Sequence, residues 1–166
     1  MKTCLVGCGG IAAVHGSVLT SGIDTEFVAA ADIKLEKAQS YAENFHTKPY
    51  PSLESMLEAE KPDVLHICTP HYLHVPMAIY SLERNINVFM EKPPAISFDQ
   101  LEELKKAAAK SDAQLGFCYQ NRYNASIRAA KDLIDSGKSG KVLGARAFVT
   151  WCRGAAIIPK AAGEAA

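Results

Sequence analysis

Lys92 stands between Glu91 and Pro93, directly after the apolar run Asn87-Val88-Phe89-Met90. Proline cannot extend a strand ladder, so this spacing ends a strand abruptly and projects a lysine from its carboxyl end. An ammonium held in a crevice there hydrogen-bonds a substrate hydroxyl, or the alkoxide-like oxygen that develops during hydride transfer. Burial would also bring the lysine pKa down toward the working pH and make proton transfer feasible. The same residues on an exposed loop would be ordinary surface charge.

A second set of residues addresses phosphate. Gly7-Cys8-Gly9-Gly10-Ile11-Ala12 follows the apolar run Thr3-Cys4-Leu5-Val6 and opens a segment of helical periodicity. Strand, glycine turn and helix together predict a dinucleotide site. Gly7 permits the tight turn, Gly9 clears the approach of a pyrophosphate to the backbone, and Ala12 lets the helix pack closely. The helix N-terminus offers unpaired N–H groups to the anion. Ile11, Val14, His15, Val18 and Leu19 recur at helical spacing and predict one buried face, with Ser21-Gly22 as the stop. His15 on that stripe reads as a hydrogen-bonded core histidine.

Asp32 ends the next apolar run 25 positions after Gly7, near the spacing at which an acid accepts from the adenosine ribose hydroxyls, which favours NAD. Asp32 could equally cap the following helix. Lys34 leaves NADP open, because a cation two residues on could pair with a 2′-phosphate. Cys68-Thr69-Pro70-His71-Tyr72-Leu73-His74 lies at the carboxyl end of another run, where doubly wound sheets place their ligands. With His66 this segment has the composition of a metal cluster. Its spacing fits no standard ligand pattern and no acid stands close by, so cofactor contact or helix capping is expected and a metal is not.

These residues need a frame. Strands are predicted at Thr3–Val6, Phe27–Ala31, Val64–Cys68, Asn87–Met90 and Gln114–Cys118, with a loop around Thr47 to Pro51. Between them lie a helix marked by Leu35, Ala38, Ala42 and Phe45, a short one capped by Ser52, one over His74–Leu82, and one from the Ser97/Gln100 capping box to Lys110 that buries Leu101, Leu104 and Ala108. A last helix carries Ile127, Ala130 and Ile134, with Gly137 near its end. Strands alternating with helices require right-handed crossovers and therefore a parallel sheet covered on both faces, the doubly wound α/β Rossmann fold. From Lys141 to Trp151 the pattern becomes a longer strand with no following helix, and after Arg153 an alanine-rich tail without period predicts poor packing. The expected division is a dinucleotide-binding domain over 1–138 and the start of a second, α+β domain over 139–166.

The chain has 166 residues, 48% of them hydrophobic, enough for one core but short for a two-domain enzyme. Eighteen basic residues balance 18 acidic ones, so no electrostatic footprint for nucleic acid or an anionic membrane is present. The uncharged apolar runs are strand-sized, which predicts neither a membrane span nor a signal peptide and hence a cytoplasmic protein. Five cysteines, an odd number without a C-x-x-C, read as reduced small hydrophobes.

Taken together, Gly7 to Ala12, Asp32, Cys68-Thr69-Pro70 with His74, Glu91-Lys92-Pro93 and Gln120-Asn121-Arg122-Tyr123, in this order and spacing, resemble the N-terminal half of the Gfo/Idh/MocA oxidoreductases, the glucose-fructose oxidoreductase and inositol dehydrogenase family, over residues 2 to 153. The resemblance implies an NAD(P)-dependent dehydrogenase of sugars, cyclitols or related polyols. It implies that Lys92 is the catalytic lysine in contact with the reacting hydroxyl, that Glu91 lies on the nicotinamide ribose side, and that Asn121 and Arg122 lie at the end of the cofactor pocket. It also implies a second domain, an open antiparallel sheet that covers the nicotinamide, carries an Asp-x-x-x-His pair and mediates self-association. Lys141 to Trp151 resembles the first strand of that sheet, and no Asp-x-x-x-His follows it. The expected chain is therefore the cofactor half of a dehydrogenase, with little turnover alone. The alternative is a dinucleotide-sensing regulator that keeps the site without catalysis.

Overall fold

Five short apolar runs and one the sequence does not announce pair into a single parallel sheet. The computed structural model of the protein describes residues 1–22 and 24–150. Its strands are β1 (Lys2–Val6), β2 (Glu26–Ala31), β3 (Lys48–Tyr50), β4 (Val64–Ile67), β5 (Asn87–Met90) and β6 (Leu115–Phe117). Their order is β3-β2-β1-β4-β5-β6, every neighbouring pair parallel. Strand order reverses between β1 and β4, and such a switch point leaves a crevice at the carboxyl ends of those two strands.

The connecting helices are α1 (Ala12–Ser21), α2 (Leu35–Phe45), α3 (Leu53–Glu60), α4 (His74–Leu82) and α5 (Phe98–Lys110). Alternation along each strand divides the core. Cys4, Val6, Ala29, Ala31, Leu65 and Ile67 pack with Met56, Val75 and Leu104 from α3, α4 and α5. Leu5 and Ala30 face the other way and pack with Ala12 and Tyr41 from α1 and α2. The caps follow the sequence: Ser52 Oγ accepts from the Ser55 N–H and Ser97 Oγ from the Gln100 N–H. Gln100 Oε1 accepts in return from the Ile96 N–H, so the box closes one residue before the cap.

Three sequence expectations change. The predicted loop at Thr47 to Pro51 contains β3, held by pairing with β2 at Ala29–Lys48, Ala30–Pro49 and Ala31–Tyr50; Pro49 is tolerated because β3 is an edge strand. The apolar stripe of α1 is only partly its buried face: its His15 and Leu19 point inward and its other three members do not. Ile11, Val14 and Val18 are exposed, while Ala12, His15, Gly16 and Leu19 are buried. Tyr41 and Phe45 of α2 leave no room for larger groups, since a Cβ on Gly16 would lie 2.4 Å from Tyr41 Oη. Residues 141–150 carry no strand, because a strand exists only in a ladder and none of the described residues pairs with this segment. Trp151, Cys152 and the alanine-rich tail lie outside the described residues.

Residues Met1–Gln120 form one compact unit, and the described residues from Asn121 onward belong to a second. In the second, Asn124 caps α6 (Ala125–Asp135) by accepting from the Ser126 N–H, and no residue of α6 is buried. Elsewhere in the first unit, buried Glu60 at the end of α3 accepts from Tyr50 Oη–H (2.6 Å) and Lys48 Nζ (2.9 Å) and pairs with Lys2 (3.1 Å). The Tyr50 hydroxyl and these ammonium groups hold the Glu60 carboxyl at about 2 against the cost of burial. No helix among the described residues is long and apolar enough to cross a membrane.

Candidate functional site

The crevice at the switch point is built by contact between two turns. Gly7 follows β1 with φ 92°, and a Cβ there would lie 2.7 Å from the Cys68 carbonyl carbon and 2.8 Å from the Thr69 nitrogen at the end of β4. Only glycine satisfies both the left-handed backbone and this approach. Gly9 and Gly10 differ: a Cβ on either meets nothing within 4 Å. Their surroundings are open, and no side chain caps α1 and no acid stands in its first turn. An uncapped helix start beside cleared space is an anion seat.

Asp32, half-buried after β2, joins this turn. Its Oδ2 accepts from the Cys8 N–H and its Oδ1 from the Lys34 N–H, both at 2.9 Å. The carboxylate thus braces the start of α2 and the glycine turn at once, and each oxygen keeps capacity to accept from a ribose hydroxyl. Burial, then the Asp32 charge, pushes the Cys8 thiol up to about 12, so it stays neutral beside the turn. Across the crevice, the Thr69 hydroxyl oxygen is buried without a hydrogen-bond partner. Such an orphan costs free energy unless something docks against it. Cleared glycines, a carboxylate with spare acceptor capacity and an orphaned hydroxyl are the features a dinucleotide would use.

The loop after β4 is fixed by His74. This ring is fully buried, with Nδ1 2.8 Å from the Pro93 carbonyl oxygen and Nε2 2.9 Å from that of Thr69. His74 thus clamps the two loops together, facing a backbone carbonyl oxygen of each. Pro70 and His71 are exposed at the rim, His71 opening a short 3-10 turn to Leu73. Cys68 is buried, and desolvation raises its thiol pKa, so it packs as a small hydrophobe. Cys4, Cys8, Cys68 and Cys118 are all free thiols.

Beyond β5 the chain turns at Glu91-Lys92-Pro93, where the Lys92–Pro93 peptide is cis. Lys92 is exposed, because the turn projects past the strand end and no residue of Met1–Gln120 covers it. Glu91, by contrast, is 5% exposed. Its Oε1 accepts from His15 at 3.0 Å and its Oε2 from the Lys92 N–H at 3.2 Å. Burial alone would raise this carboxyl, but hydrogen bonds from His15 and Cys118 outweigh it and hold the pKa below the ordinary value. The other His15 nitrogen, Nδ1, lies 2.9 Å from His66 Nδ1. Burial, and to a lesser extent the electrostatics of the His15 ring beside it, pull His66 down to about 4.

His15 is therefore the hydrogen-bonded core histidine expected from its helix, but its partners were not legible: Glu91 and His66 stand 76 and 51 positions away. The one usable signal was its place three residues after Ala12, on the face where small residues allow close packing. Donor atoms of His15, Glu91 and Cys118 lie within 4.8 Å of one another, a geometry that could hold a metal ion, yet His15 and Glu91 are already joined by a hydrogen bond. Asn121 and Arg122 are exposed in the short turn Gln120–Tyr123. A groove of about 480 Å³ between α4 and α5, lined by residues such as Leu82, Glu103 and Ser111, opens at the amino ends of β5 and β6, opposite the crevice.

Residues 1–119 match the model of an oxidoreductase family described as an NAD-binding Rossmann fold. The chain is 29% identical to the D-glucoside 3-dehydrogenase of Escherichia coli K12, over 86% of this chain and 41% of that protein. It is 28% identical to an inositol 2-dehydrogenase/D-chiro-inositol 3-dehydrogenase of Lacticaseibacillus casei, over 89% of this chain and 44% of that protein. Among solved structures, the WlbA dehydrogenase from Chromobacterium violaceum, in complex with NADH and UDP-GlcNAcA, superimposes with a TM-score of 0.81 at 30% identity, over 84% of this chain and 41% of that one. The chain thus spans about two-fifths of the length of the relatives it matches.

Proposed function

Since the chain belongs to the Gfo/Idh/MocA family of NAD-binding oxidoreductases, we propose that the full-length protein oxidises a carbinol of a sugar, cyclitol or related polyol, and that this chain is its cofactor-holding part. The observation that carries the reading is the placement of an open glycine turn, Asp32 and Lys92 at the carboxyl ends of the strands of one sheet. In the proposed arrangement, the backbone at Gly9 and Gly10 and the start of α1 take the pyrophosphate. Asp32 accepts from the ribose hydroxyls, and its negative charge repels a 2′-phosphate, which favours NAD over NADP. The orphaned Thr69 hydroxyl finds its partner on the dinucleotide. Bound nicotinamide would supply the hydride acceptor.

Lys92 then acts on the substrate oxygen. Its Nζ donates to the hydroxyl being oxidised, stabilises negative charge as it develops there, and offers a route for the proton. Glu91 and the His74 clamp hold the turn from which Lys92 extends. Within this chain Lys92 is exposed, so water exclusion and substrate positioning must come from a covering surface, and the isolated chain turns over slowly. Substrate class is carried by the relatives, named for glucosides and inositols; Asn121 and Arg122 enter the proposal by resemblance alone.

The test replaces Lys92 by Met in the full-length protein and measures turnover on myo-inositol and glucosides separately from NADH binding. Turnover is expected to fall by about a hundredfold or more with NADH affinity retained. Near-normal turnover refutes the role of Lys92.

A further inference from the structure

The chain His66–His15–Glu91, with His15 and Glu91 buried and His66 half-buried, joins two parts of the crevice that have no other side-chain link between them among the hydrogen bonds described above. His15 sits in α1, the helix that opens from the glycine turn; Glu91 sits at the carboxyl end of β5, one residue before Lys92. In a doubly wound sheet the two halves of a dinucleotide lie on either side of the switch point, one over β1 to β3 and the other over β4 to β6. A bond from α1 to Glu91 therefore spans the seats of both halves.

The chemistry of the contact assigns its direction. Glu91, ionised, only accepts, so His15 Nε2 carries the proton it donates across 3.0 Å. With His15 neutral, its Nδ1 is bare and accepts from His66 Nδ1–H across 2.9 Å; His66 thereby selects the tautomer that serves Glu91. Phe89, in β5 two residues before Glu91, packs against both rings, with centroids 6.1 Å from His15 and 5.1 Å from His66. The ring of His15 is thus fixed by hydrogen bonds at both nitrogens and by an aromatic wall, and Glu91 Oε2 is left to receive the Lys92 N–H.

We propose that His15 is a positioning residue that ties the Glu91-Lys92-Pro93 turn to the dinucleotide-binding helix, with His66 setting its tautomer, so that the nicotinamide half of the cofactor is bound correctly only while this bond is intact. The inference rests on the dinucleotide reading of the crevice. A positioning role differs from simple core packing in what it predicts for truncated ligands. ADP-ribose uses the glycine turn and Asp32 but has no nicotinamide, so it should not sense the Glu91 turn.

Binding of NADH and of ADP-ribose is measured by titration calorimetry on the wild type, His15→Ala and His15→Gln. Loss of a hydrogen bond to a buried carboxylate weakens NADH by about tenfold in His15→Ala, leaves ADP-ribose within about twofold, and is recovered in His15→Gln, whose amide can donate to Glu91. NADH binding unchanged in His15→Ala, or equal loss of both ligands by a folded variant, overturns the role of His15. Wild type that binds neither ligand overturns the dinucleotide reading and this inference with it. Should His15→Ala fail to fold, ¹⁵N NMR of the wild-type imidazole decides: a protonated Nε2 is required, and a bare Nε2 refutes the proposal.

Discussion

Gly7 and Gly9 stand two residues apart in one turn, and the geometry predicts opposite consequences for the same substitution. In Gly7→Ala the new Cβ meets the Cys68–Thr69 peptide at 2.7 to 2.8 Å while the backbone sits at φ 92°. The left-handed conformation costs an L-residue about 1–2 kcal/mol. The contacts are with backbone at the end of β4, so no rotamer relieves them, and forcing β1 and β4 apart adds about 1–3 kcal/mol, as other overpacked sites do. The sum, about 2–5 kcal/mol, corresponds to a fall in melting temperature of about 5–15 °C for a chain of this size. In Gly9→Ala the Cβ meets nothing within 4 Å, so stability should stay within about 0.5 kcal/mol of wild type, while NADH binding weakens because the methyl occupies the space the pyrophosphate needs. Urea unfolding followed by far-UV circular dichroism, without dinucleotide, reads the first effect and calorimetric titration the second. A Gly7→Ala variant as stable as wild type, or a Gly9→Ala variant that unfolds early, would refute the assignment of these two glycines.

Two further outcomes follow from buried polar groups. Thr69→Val removes an unpartnered buried hydroxyl and should stabilise the free chain by about 1 kcal/mol while weakening NADH binding; destabilisation would show that the hydroxyl is already satisfied. The Glu60 carboxyl lies at about 2, below its ordinary value of 4.5, so its contribution to stability is complete above pH 4.5 and is lost as pH falls toward 2. Glu60→Gln should flatten this acid limb by about 3 kcal/mol at most, leaving the slope from Glu91 in place, and an unchanged limb would refute the claim.

Much of the frame was legible because local signals agreed. The helix over His74–Leu82 has the boundaries its periodicity predicts, and Ser52 and Ser97 cap as their positions require. What failed was everything decided by packing at a distance. Lys48–Tyr50 is a strand only because β2 offers it an edge, a fact no residue in Thr47 to Pro51 announces. On α1, counting apolar residues selected Ile11, Val14 and Val18, which are exposed, along with His15 and Leu19, which are buried; the rest of the buried face is Ala12 and Gly16, because close approach by Tyr41 and Phe45 rewards small volume over hydrophobicity. For the site, the glycine turn, Asp32 and the Lys92 turn could each be found from local spacing. The His66–His15–Glu91 chain could not, since a bond between residues 15 and 91 is a property of the folded sheet. For Lys92 the local residues allow either a crevice or a surface loop, and it is exposed, because burial there depends on surfaces its own segment does not supply.

The central claim is that the switch-point crevice holds a nicotinamide dinucleotide. Titrating this chain with NADH, and separately with NADPH, while following reduced-nicotinamide fluorescence tests it directly. The account predicts saturable binding of NADH at one site, tighter than that of NADPH because of the Asp32 carboxylate, and weakened in Gly9→Ala. Failure of both dinucleotides to bind below millimolar concentration would contradict it.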